Sequence, residues 1–199
     1  RFQVRTLIDI EKSVDRADVF VQLAHDKTFG DFGQTDPTIE GNVNINQAYV
    51  NFAVTDNSSL KIGRQAFVTG NGSIIGRYDH LQDPYSFDGW KFSSSYDDIS
   101  YDVWSLRVAD DATDTDIHGL DANFTDIWGG DLHVHYYHAT GYTGAVDHTL
   151  DTYGFDWAKD YEEWDFYVQY ATQGGGTTNI DYNGTLWNLA VGYDLDEDG

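Results

Sequence analysis

Apolar and polar residues alternate with a period of two along most of this chain, and no stretch shows the 3.6-residue period of an amphipathic helix. The clearest part is residues 47–95. There Ala48, Val50, Phe52 and Val54 alternate with Tyr49, Asn51 and Ala53, and Leu60 and Ile62 alternate with Lys61 and Gly63. Trp90 and Phe92 then alternate with Lys91 and Ser93. Successive strand side chains point to opposite faces, so each piece is a ribbon with one greasy and one wettable side. Asp56, Asn57, Ser58 and Ser59 supply turn chemistry between the first two pieces, which predicts an antiparallel hairpin. A glycine-rich loop over residues 70–83 precedes the third.

The same pattern predicts strands over about residues 2–11, 19–27, 99–109, 117–126, 131–140, 149–158, 162–172 and 185–195. In the first, Phe2, Val4, Ile8 and Ile10 share one face, opposite Gln3, Arg5, Asp9 and Glu11. The strand near residue 104 sets Trp104, Leu106 and Val108 on the apolar side and Arg107 on the other. Leu132, Val134 and Tyr136 oppose His133 and His135, and Trp164, Phe166, Val168 and Tyr170 oppose Asp165 and Gln169. Residues 110–116 read as an acidic turn, and 141–148 and 173–183 as loops, the latter with three consecutive glycines.

About eleven strands of about 9–11 residues match membrane-spanning strands, whereas strands of a small soluble sandwich are usually nearer 5–6 residues. A sheet in lipid must pair every backbone N–H and C=O, so it closes on itself. The expected fold is therefore all-β: an antiparallel up-and-down outer-membrane-type β-barrel, one domain over residues 1–199. About 10–12 strands lie in this chain. Both ends read as cut, so the chain is expected to be part of a larger or multi-chain barrel.

Residues 47–95 also carry a family pattern. The order AYVNF, a polar turn, LKIGRQ, a glycine loop with GSIIGRYDH, then YSFDGWKF resembles the alginate-export family of bacterial outer-membrane β-barrels. The residues concerned are Ala48, Tyr49, Val50, Asn51, Gly63, Arg64, Gln65, Ile75, Gly76, Phe87, Asp88 and Gly89. The resemblance implies a porin in the bacterial outer membrane with a lumen lined by basic groups that pass a polyanion.

Composition changes that last expectation. The chain has 34 acidic and 11 basic side chains in 199 residues, a formal net charge of −23. Such a field repels polyanions, so alginate is not carried over as solute, and nucleic acid is excluded as a partner. Cations, neutral sugars and other small solutes fit better. Aromatics at 16% of residues suit interfacial girdles, though carbohydrate-binding sandwiches are also aromatic-rich. The absence of cysteine removes disulfides and thiolate metal sites. No apolar run approaches the roughly 20 residues of a membrane helix.

Candidate pore-lining cations are Arg5, Lys61, Arg64, Lys91 and Arg107. Arg64 has the parity of Ile62, so a bulge or a place at the strand end must turn it inward. His133, His135 and His138 form HxHxxH. On a strand His133 and His135 share a face and His138 points away. The pair reads either as water-facing lumen histidines or as ligands to Zn or Cu, with a third ligand from a neighbouring strand. Asp194, Asp196 and Asp198 with Gly199 form DxDxDG, which reads as an acidic turn or as the opening of a Ca2+ loop. Asp110, Asp111, Asp114 and Asp116 make a weaker second cluster. No GxSxG elbow or phosphate-binding loop is present, and Glu162 and Glu163 point to opposite strand faces, so no catalytic set is identified.

Three functions follow. The first is a passive porin-like channel for small or sugar-like solutes in the outer membrane, in contact with lipid. The second is a barrel-derived structural protein whose copies join through open strand edges into extracellular tubes or filaments. The third is a soluble carbohydrate-binding sandwich.

Overall fold

The computed structural model describes residues 2–29, 43–70, 72–76, 85–109, 115–143, 146–177 and 181–194. Eleven strands follow one another: β1 (Phe2–Val14), β2 (Ala17–Phe29), β3 (Val43–Thr55), β4 (Ser58–Gln65), β5 (Phe87–Tyr96), β6 (Ile99–Ala109), β7 (Thr115–Ile127), β8 (Gly130–Thr143), β9 (Val146–Tyr161), β10 (Trp164–Gly176) and β11 (Asp181–Tyr193). Their order in the sheet is their order in the chain. The registered pairs are antiparallel, as an up-and-down meander requires. Backbone packing divides the chain into two compact units, Arg1–Trp90 and Lys91–Gly199, which are described separately.

Tight turns join alternate strand pairs, at residues 15–16, 56–57, 97–98, 128–129 and 162–163. Asp15, Asp97, Trp128 and Glu162 take positive φ there, of 52°, 49°, 57° and 55°. Asp tolerates that conformation because its short side chain hydrogen-bonds locally. The expected hairpin is β3–β4, in the register Val50↔Ile62 and Phe52↔Leu60.

The strands outrun the alternating segments. β9 has 16 residues and β1, β2, β3, β7, β10 and β11 have 13 each, because the backbone ladder continues into polar sequence. The expected loops over 141–148 and 173–183 are therefore largely strand. β8 runs to Thr143 and β9 starts at Val146, and Gly174, Gly175 and Gly176 all lie in β10. At Gly175 (φ 156°) a β-carbon would stand 2.1 Å from the Thr149 carbonyl oxygen. Glycine there admits a backbone approach that pairs Gly175 with Leu150.

In the first unit, Ile8, Ile10, Val19, Phe52 and Ile62 are exposed on one face. Gln22, Gln47 and Gln65 are buried on the other. In the second, Leu120, Tyr136, Tyr153, Phe166, Leu189 and Val191 are exposed while Asp121, His133, His135, Thr152, Asp156 and Gln169 are buried. This inverts the soluble pattern, in which apolar side chains fill the interior. Among the described residues, this is not the burial expected of a soluble sandwich built on an apolar core.

One strand departs from the expected sidedness. Trp104 and Leu106 are only 1% and 2% exposed, and they lie on the polar side with Asp121. Trp104 pairs with Gly119, whose missing side chain leaves a slot for the indole, and the indole N–H donates to Asp121. The outward residues of β6 are Tyr101 and Val103, paired with Ala122 and Leu120. Arg107 therefore shares their side.

Candidate functional site

The polar face is where the chain gathers its chemistry. In the first unit it holds an amide network. Gln22 donates to Asp9 Oδ1 at 2.8 Å, and Asn46 and Gln47 both donate to Gln22 Oε1. Ala66 N–H donates to Gln47 Oε1 at 3.0 Å, and Ser86 donates to Asn46 Oδ1 at 3.2 Å. A register shift between Gln22 and Leu23 makes room for two consecutive buried amides, Asn46 and Gln47.

Arg5 and Lys61 fall on this polar side, in the rows of Asp9 and Asn51. The Lys61 ammonium sits 4.5 Å from the centre of the Tyr49 ring, a cation–π contact. Arg64 does not join them. It keeps the side of Ile62 and pairs with Asp88 through two hydrogen bonds of 3.0 and 2.6 Å, near the end of β4. The bulge that would turn it inward is absent at that position, where Ala48 pairs directly with Arg64.

In the second unit Lys91 is on the polar side, 3.2 Å from Asp102. Arg107 is on the apolar side and forks onto Asp116 at 2.9 and 3.2 Å. It lies past Val103, Leu120 and Tyr136, which occupy one cross-strand row. Both misassigned arginines are thus outward ion pairs near the end of their strands.

The buried cluster of the second unit forms around β8. His133 pairs in register with Asp156 and its nearer neighbour His135 with Asp121. His133 Nδ1 lies 2.7 Å from Asp156 Oδ2 and Nε2 lies 2.9 Å from Asp121 Oδ1. Asp121 also accepts from Tyr137 Oη at 2.7 Å and from the Trp104 indole. An ionised carboxylate only accepts, so bonding to two of them gives His133 two N–H donors. His135 stacks on Tyr137 at 4.8 Å, and neither of its ring nitrogens has a hydrogen-bond partner. His133, His135 and Asp156 present metal-ligating atoms that all lie within 4.8 Å of one another. His138 is on the opposite side, as alternation requires, and its Nδ1 lies 2.8 Å from Asp151.

Asp194 is exposed, and its backbone N–H donates to the Glu163 carbonyl. Asp196 and Asp198 lie outside the described residues, as do Asp110, Asp111 and Asp114. Asp116 is bound to Arg107 rather than to an acidic cluster.

Aromatic rows on the outward side complete the geometry. Trp164 pairs with Tyr161 and Tyr193 at the tight-turn end of their strands. Further along, Tyr136 pairs with Tyr153, and Tyr170 pairs with Phe155 and Trp187. From Tyr153 to Tyr161 the strand advances roughly 27 Å, or about 21 Å along the membrane normal at a 40° tilt. That is close to the roughly 25 Å apolar band of an outer-membrane barrel, flanked by aromatic girdles. Leu132, Trp157, Val168 and Leu189 share one cross-strand row between the two. Alternation shows that these residues face outward, but the rows appear only once the register is known.

A family model described as alginate export matches residues 2–198. No curated protein matches the sequence. Among solved structures, the chain is similar to OmpT, an outer-membrane protein of Vibrio cholerae folded in vitro, in its trimer form. The identity is 12% and the TM-score 0.50, over 98% of this chain and 83% of that one. Outer-membrane expressed OmpT of Vibrio cholerae gives 12% identity and a TM-score of 0.49, over 97% and 81%. At such identities the likeness to the first concerns the fold alone.

Proposed function

The chain belongs to the alginate export family, and from that premise we propose that it forms a passive channel for small neutral or cationic solutes, sugar-like ones included. It is a bacterial outer-membrane protein of the β-barrel channel type. The finer reading concerns what passes. In it, the polar face of the sheet lines water and the apolar face meets lipid.

The observation that supports this most is the inverted burial: Asp121, His133, Asp156 and Gln169 are buried while Leu120 and Tyr153, on the other face of the same strands, are 46% and 53% exposed. Exposed apolar ribbons bounded by aromatic rows have a natural solvent in lipid. The buried polar side then surrounds the passage, and its charges choose the solute. Asp102, Asp121, Asp156 and Asp165 lie on that side with Lys91 among them. With a net charge of −23 and Arg64 and Arg107 turned outward, the wall favours cations over anions.

The test is reconstitution of the purified protein in planar bilayers and in liposomes. The expected result is stepwise conductance with a reversal potential on the cation side, and swelling driven by mono- and disaccharides. Anion selectivity with block by alginate oligomers would replace this reading with polyanion passage. An absence of conductance from correctly inserted protein would remove it.

A further inference from the structure

The cluster around His133 holds one group that the hydrogen bonding does not explain. His135 is 7% exposed, yet neither ring nitrogen has a partner. A buried polar group without a partner is costly, because water no longer satisfies it and nothing replaces water. The ring is nevertheless well held. It lies in a slot above Gly154, where an added β-carbon would stand 2.4 Å from Nε2, and it stacks on Tyr137 with planes 10° apart. Packing thus places an imidazole with unused lone-pair capacity beside His133, the ring centres 5.3 Å apart.

We propose that His133, His135 and Asp156 bind one divalent transition-metal ion on the polar face of the sheet. Two imidazoles and one carboxylate suit Zn2+, Cu2+ or Ni2+ rather than Ca2+ or Mg2+, which prefer all-oxygen shells. The donor atoms already lie within 4.8 Å of one another. Around a tetrahedral ion at about 2.0–2.1 Å, donors stand about 3.3 Å apart. His133 Nδ1 and Asp156 Oδ2 are already 2.7 Å apart. The contraction therefore falls chiefly on His135, whose nitrogens have no bonds to break.

Binding replaces a proton by the ion. The His133 Nδ1 proton that faces Asp156 leaves to solvent, and its lone pair becomes a ligand. The opposite nitrogen keeps its proton on Asp121 Oδ1, 2.9 Å away. That is the carboxylate–histidine–metal arrangement, in which an outer carboxylate fixes the tautomer and the aim of the ring. Asp121 is suited to the outer position because Tyr137 and Trp104 also donate to it and hold it still. Asp121 is thus a positioning residue. Three protein ligands leave a coordination position for water or for a donor group of a passing solute.

This site stands apart from the channel reading and does not depend on conduction. Its test uses the full chain, folded in detergent and stripped of metal by chelation, titrated calorimetrically with ZnCl2 alone. One Zn2+ per chain is expected. The His135→Gln variant loses the binding, and Asp121→Asn weakens it by about 10–100-fold, the usual effect of an outer partner. His118→Gln leaves it unchanged, since His118 contacts Ser105 elsewhere on the sheet. Retention of the heat-modifiable gel shift separates lost binding from lost folding. The unmodified protein provides a second, independent readout. With one equivalent of CuCl2, its electron paramagnetic resonance spectrum should show coupling to two imidazole nitrogens. No saturable Zn2+ binding, unaltered binding in folded His135→Gln, or a Cu2+ spectrum with oxygen ligands only would each overturn the proposal.

Discussion

Trp104 and Gly119 face each other across β6 and β7, and a β-carbon added to Gly119 would stand 2.1 Å from the indole ring. The indole fills the space that a side chain would occupy, and from there it reaches Asp121. Trp104→Ala should remove both the packing and one of the bonds that hold Asp121.

Gly119→Val tests this contact directly. A side chain at that position has to expel the ring, and overpacking of this kind costs about 1–3 kcal/mol. Urea or guanidinium unfolding of the barrel in lipid should show that loss. In the double variant Gly119→Val, Trp104→Ala, the penalty of the added valine should be largely relieved. Equal penalties with and without the indole would mean that the two residues do not share one space.

Charge placed between the aromatic rows should be expensive on one face only. Val168 lies in the same cross-strand row as Trp157 and Leu189. Val168→Arg should destabilise the lipid-inserted barrel by about 2–4 kcal/mol, the cost of arginine near the bilayer midplane. Asp165→Asn, on the opposite face of the same strand, should change stability by well under about 1 kcal/mol. Refolding equilibria in phospholipid vesicles measure both.

Lys91 and Asp102 form a partly exposed ion pair of 3.2 Å on the polar face. Removing the cation leaves the carboxylate to act on passing ions. Lys91→Gln should raise the cation-to-anion permeability ratio about two- to threefold at low salt, and the effect should shrink as salt screens the wall. Reversal potentials in salt gradients give the ratio. An unchanged ratio would place this pair away from the conducting path.

Alternation made the faces of β7, β8, β9, β10 and β11 legible from the residues alone. His133 and His135 on one side and Leu132, Val134 and Tyr136 on the other follow from period two. Trp104 departs from that logic, because apolar character alone predicts the outward face. Gly119, directly opposite, is what makes an inward tryptophan possible. Asp156 as a neighbour of His133 was also out of reach, since it depends on the β8–β9 register. Alternation fixes sides but not register. The expected loop over 141–148, most of which is strand, would have set that register wrongly. The glycines of β10 misled for a related reason. Glycine signals a turn, but Gly175 serves a close approach of two backbones.

Sidedness is the claim on which the channel reading stands, and the absence of cysteine makes it directly measurable. Single cysteines at residues 165–170, spin-labelled in lipid vesicles, report collision with oxygen, which concentrates in lipid, and with a water-soluble nickel chelate. The labels at Phe166, Val168 and Tyr170 should favour oxygen and those at Asp165 and Tyr167 should favour nickel, alternating residue by residue. A uniform profile, or nickel access at Phe166 and Val168 with oxygen access at Asp165, would contradict a lipid-facing apolar side and a water-facing polar one.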